Sequence, residues 1–195
     1  MASVHDWATL VAESGLAAVT YTTSTDAVTD TRAVLGYLRA NGGALAIDTA
    51  RLGLWSCSSH VPAALGLLMD EPAAFRCAVM LYGFMLDLDG ASGVTDAERT
   101  WRFANPARNR TIDELPEATP LFIARAGRDA NPHLNDALDR FVAHALRRNL
   151  PITLVNHATG PHAFDVHEDS DRSRDIVRQS LAFLRAHLHP STREP

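Results

Sequence analysis

A three-layer α/β/α sandwich built on a mostly parallel sheet is the fold class this sequence predicts, and three observations predict it. Short apolar runs with strand character alternate along the chain with stretches of helical period. Those runs are near-continuously apolar, as strands covered on both faces must be, and most connections between them are short. With 195 residues, 46% of them hydrophobic, the chain can build one substantial core, so a single α/β domain over 1–195 is expected.

The elements follow in order. Trp7, Leu10 and Val11 share a helical face that Gly15 ends. Leu16 to Tyr21 reads as a buried strand, rich in Ala and Val with a Thr-Tyr ending, and the Thr-rich stretch 22–25 as a loop. Val28, Thr31, Val34, Leu35 and Leu38 mark a helix stopped by Asn41-Gly42-Gly43. Leu52 to Cys57 reads as a fully buried strand, after which Val61, Ala64, Leu65 and Leu68 recur at the helical period until Pro72 breaks it. Arg76 to Tyr82 is another strand. Residues 84–120 carry no clear period, which in a compact domain suggests a short lid or substrate loop. Leu121 to Ala126 is a strand entered from Pro120, with a helix marked by Leu134, Leu138, Phe141, Val142 and Ala145 behind it. Ile152 to Val155 supplies a further strand, and Ile176, Val177, Ser180, Leu181, Leu184 and Leu188 a closing helix. The tail from Pro190 is expected to fray.

Composition removes several classes of function. The net charge of -5 and the scattered arginines leave no basic footprint for nucleic acid. All 18 basic residues are Arg, which excludes Schiff-base chemistry, a pyridoxal anchor and the lysine of a phosphate-binding loop. No glycine pattern forms a cofactor box, so no cofactor is expected. Cys57 and Cys77 fall in apolar runs, which fits a reducing, cytoplasmic setting. Neither a signal peptide nor a membrane span is expected from the apolar patterning.

Between the strand ending at Cys57 and the helix opening at Val61 there is almost no room. A strand-to-helix turn this abrupt pushes one residue out at the carboxyl end of the sheet, beside the unpaired N–H groups of the helix start. That residue should be Ser58, with Ser56 and His60 two places to either side, where such a turn favours glycine. Asp129 follows the strand 121–126 through Gly127-Arg128, and His162 follows the strand 152–155 through residues 156–161. In a parallel sheet these strand ends gather along one edge. Acyl transfer needs this set of residue types, because a serine hydroxyl is a poor nucleophile until an imidazole takes its proton and a carboxylate orients the imidazole. Cys57 is a second candidate nucleophile, and Asp87 or Asp89 a second candidate acid. The steps between His157, His162, His167 and Glu168 match no common zinc spacing, so no metal is expected.

Here the chain resembles the α/β-hydrolase superfamily, and within it the dienelactone hydrolase-related esterases and peptidases. The resemblance lies in residues 51–59 at the turn, 120–129 at the acid and 160–165 at the base. It implies Ser58 as nucleophile, Asp129 as orienting acid, His162 as general base and the backbone N–H of Ser59 as an oxyanion donor. The partner would be a small acyl substrate. The family carries a strand and a His-Gly oxyanion loop ahead of the first helix, whereas here that helix begins within a few residues of Met1, so an amino-terminally shortened fold is expected. Its exposed sheet edge would favour a homodimer. Loss of one oxyanion donor would weaken catalysis by about 10²–10³. The competing reading is a catalytically silent binding module on the same fold, motivated by His60 and the missing strand.

Overall fold

The computed structural model describes residues 4–24 and 26–189. Four strands, β1 (Leu52–Cys57), β2 (Phe75–Leu81), β3 (Leu121–Ala126) and β4 (Ile152–His157), form one sheet in the order β1-β2-β3-β4. All three pairings are parallel. The helices are α1 (Val4–Glu13), α2 (Ala27–Asn41), α3 (Val61–Asp70), α4 (Gly93–Trp101), α5 (Leu134–Arg147), the short α6 (Phe164–His167) and α7 (Asp171–Leu188).

Because successive strand residues face opposite sides, the apolar runs feed two cores at once. Ala78, Met80, Leu121 and Ile123 point to a layer holding Leu65 and Leu68 of α3 and Leu138 and Phe141 of α5. Cys77, Val79, Leu81, Phe122 and Ala124 point to the other, where Ile176 and Leu184 of α7 lie with Trp7 of α1. This is the predicted three-layer α/β/α sandwich. Among the described residues no helix is long and apolar enough to cross a membrane.

Three expectations change. Residues 16–21 form no strand: Val19 and Tyr21 are 45% and 42% exposed, and only Leu16 rests against the core. A β-friendly composition makes a strand only where a neighbour offers a ladder, and β1 pairs with β2 alone among the described residues. For the same reason β1 is half-buried rather than fully buried, with Gly53 exposed at the sheet edge. The stretch 84–120, expected as a lid or substrate loop without a clear period, holds regular structure. It contains α4 and a 3₁₀ turn at Ile112–Glu114, and it buries Phe84, Met85, Leu86, Val94, Ile112 and Leu115. The tail from Pro190 and Thr25 of the Thr-rich loop lie outside the described residues.

Candidate active site

The site is set by three strand ends. At the first, β1 passes into a 3₁₀ turn, Ser58–His60, that runs directly into α3. Ser58 takes a φ of 53°, in the left-handed region that a residue with a Cβ enters only at a cost of about 1–3 kcal/mol. That strain is the turn's function, since it aims Oγ away from the sheet and toward the ends of β3 and β4. Cys57, with a φ of -143°, is still extended strand. Burial, with the nearby charge of Asp165, pushes its thiol pKa up, so it is a poor nucleophile.

The turn's close approach is served from the facing backbone. Gly83 lies just past β2, where an added Cβ would come within 2.2 Å of Val61 Cγ2 and 2.5 Å of its Cβ. Phe84 N–H donates to the Ser58 carbonyl at 3.3 Å. His60, in the place that favours a small residue, is exposed and leaves the contact free. Gly83→Ala should therefore displace the start of α3 and lower stability by about 1–3 kcal/mol, read by denaturant unfolding. An unchanged midpoint would show that the turn is not gripped there.

The turns that carry Asp129 and His162 are laced together through their backbones. Gly127 N–H donates to the His157 carbonyl at 2.9 Å, and Arg128 N–H to that of Gly160 at 2.9 Å. Gly127 must be glycine for this, because a Cβ there would lie 2.4 Å from the Ala158 carbonyl oxygen. The spacing between Asp129 and His162 is thus fixed before their side chains meet. Asp129, its side chain fully buried, accepts His162 Nδ1–H at 2.6 Å. Its other oxygen accepts the Asn131 backbone N–H at 2.9 Å and the Asn131 amide at 2.8 Å. Burial raises the Asp129 carboxyl pKa, but the hydrogen bonds from His162 and Asn131 and the His162 charge outweigh it and hold it below the usual carboxylate range. The carboxylate is therefore ionised and keeps the proton on Nδ1, which leaves Nε2 to accept the Ser58 hydroxyl at 2.8 Å.

Ser58, His162 and Asp129, named from the sequence, are thus joined in series. The Ser59 backbone follows Ser58 in the first turn, ahead of the start of α3. A cleft of about 240 Å³ opens beside Ser59 and His60, walled by Thr23, Ala63, Arg102 and Phe103. None of the three lines it, nor do they line a second cleft of about 270 Å³, whose acidic groups are already engaged. There Asp87 caps α4, accepting from Val94 and Thr95, while Asp89 faces His144 at 3.0 Å, so neither carboxylate meets His162. His157 is 2% exposed and pairs with Glu168 at 2.7 Å, and His167 stands exposed. Among the described residues no three His, Cys, Asp or Glu side chains gather to hold a metal ion. Sequence reasoning missed Asn131, whose signal was its place two residues after the acid, an Asx-turn spacing.

No family model matches the chain, and no curated protein matches it. Solved structures do. A bacterial heroin esterase is similar over 87% of this chain and 62% of its own, at 17% identity and a TM-score of 0.64. Esterase LipW from Mycobacterium marinum covers 95% of this chain and 68% of its own, at 16% identity and a TM-score of 0.72. A puromycin-hydrolyzing peptidase of Mycobacterium tuberculosis covers 86% of this chain but 26% of its own, at 20% identity and a TM-score of 0.58. The fold is that of the α/β-hydrolases. The chain spans about six-tenths to two-thirds of the length of the two esterases.

Proposed function

We propose that this protein is a serine hydrolase of small carboxylic esters, of the dienelactone hydrolase-related kind, working through an acyl-enzyme on Ser58. The observation that carries this reading is the unbroken relay from the Ser58 hydroxyl through both nitrogens of His162 to the buried Asp129. The similarity to esterases supports it at the level of fold. His162 Nε2 takes the serine proton as Oγ attacks the ester carbonyl. Asp129 holds the imidazole in the right tautomer and balances the imidazolium that forms, and the proton then passes to the leaving alcohol. Water, activated by the same imidazole, releases the acid. The developing oxyanion would lie against the Ser59 N–H, at the end where the dipole of α3 is positive.

A strained serine already hydrogen-bonded to an oriented histidine favours hydrolysis over the silent binding module. Short-chain nitrophenyl esters test the reading: their hydrolysis should exceed that of buffer and be lost in His162→Ala, because the imidazole is the group placed to take the serine proton. A rate no greater than that of buffer at every pH would count against it.

A further inference from the structure

A second polar chain runs behind the first and does none of the proposed chemistry. Asp165, three residues after His162, accepts the Tyr82 hydroxyl at 2.6 Å on one oxygen and the Trp7 indole N–H at 2.9 Å on the other. Each donor touches a different arm of the site. The Tyr82 ring stands edge-on to the His162 imidazole with centroids 5.0 Å apart, and edge-on to Phe164 at 5.4 Å. The Trp7 ring packs at 4.3 Å on Trp55, in the strand that delivers Ser58. One carboxylate thus joins the amino-terminal helix, the end of β2 and the histidine segment.

The backbone around this carboxylate is strained. Tyr82 has a φ of 37° and Ala163, between His162 and Asp165, a φ of 53°. Conformations of this kind persist only where surrounding contacts over-determine them. The two hydrogen bonds to Asp165 are such contacts: Asp165 lies two residues after Ala163, and Tyr82 stands against His162, the residue before it.

We propose that Asp165 is a positioning residue, clasped by Trp7 and Tyr82, that holds the His162 segment in register with Ser58 and makes the site depend on the docking of α1. This rests on the hydrolase reading for its effect on rate, though not for its effect on geometry. Without the clasp the histidine segment relaxes toward ordinary backbone angles, and the Ser58–His162 distance becomes one of several.

The test uses Trp7→Phe, which keeps an aromatic ring on Trp55 but loses the N–H, and Tyr82→Phe, which keeps the ring beside His162 but loses the O–H. Both are made singly and together in the full chain. Two readouts are taken: kcat and KM for a short-chain nitrophenyl ester, and the far-downfield proton resonance of His162 Nδ1–H, assigned by its loss in His162→Ala. Each single variant should lower kcat about tenfold with KM unchanged, the effect of one buried hydrogen bond acting through geometry. The pair should cost less than the product of the two, because both act through one carboxylate. The resonance should shift or broaden in each variant.

Unchanged kcat and an unchanged resonance would overturn the clasp, as would full multiplication of the two losses or a lower melting temperature with neither readout altered. If the wild-type chain hydrolyses no ester, the hydrolase reading fails while the resonance still decides the clasp. Should one variant fail to fold, the other carries both readouts.

Discussion

Ser58→Ala should abolish ester hydrolysis while leaving the fold intact, with a fall in kcat of at least about 10³. The size follows from what the hydroxyl does. Removing the nucleophile of a hydrogen-bonded triad removes covalent catalysis altogether, and the remaining histidine and aspartate have nothing to activate but water. Stability should change little, because alanine keeps the Cβ and with it the strain of a φ of 53°, and the side chain contributes a single partly buried hydrogen bond, to His162. The measurement is steady-state hydrolysis beside thermal unfolding of both proteins. A variant that folds and hydrolyses as fast as its parent would remove Ser58 from the mechanism.

Asp129→Asn should lower kcat by about 10⁴, the loss typical when the orienting carboxylate becomes an amide. An amide offers one acceptor oxygen where Asp129 offers two, and it presents an N–H either to His162 or to the donors of Asn131. If it faces His162, the imidazole is driven to the wrong tautomer and Nε2 can no longer accept from Ser58. The same substitution has a pH signature. The Asp129 carboxyl is held below its ordinary 3.8 in the folded chain, net of a burial effect that raises it. A depressed carboxylate lends stability that is fully present above its unfolded value and is lost as pH falls through its folded value. The gap in melting temperature between wild type and Asp129→Asn should therefore be widest above about pH 5 and narrow on acidification below the ordinary carboxylate value. A gap that is constant or widens toward acid would contradict the assignment of Asp129 as an ionised, hydrogen-bonded buried group.

The site was more legible in the sequence than parts of the frame around it. That Ser58, Asp129 and His162 meet could be read because each follows a short apolar run, and because Gly127 and Gly160 mark tight turns just before Asp129 and His162. Local composition misleads where structure depends on a distant partner. Among the described residues, 16–21 have the chemistry of a strand without a neighbour to pair with, and β1 has the chemistry of a central strand while lying at an edge. Within 84–120, Val94 and Ala97 mark the buried face of α4, but nine residues give too short a period to stand out. The network around Asp165 left no local signal, since Tyr82 and Trp7 lie 83 and 158 residues away from it in the chain.

The most direct test of the central claim is covalent labelling by a serine-directed fluorophosphonate, with the modified residue located by mass spectrometry. Such a probe reports a serine whose proton a neighbouring base can take, and it needs neither the right substrate nor fast turnover. A single adduct on Ser58, absent from Ser58→Ala and strongly slowed in His162→Ala, is the predicted result. No adduct on the folded chain, or an adduct on Ser58 that forms equally fast in His162→Ala, would contradict it.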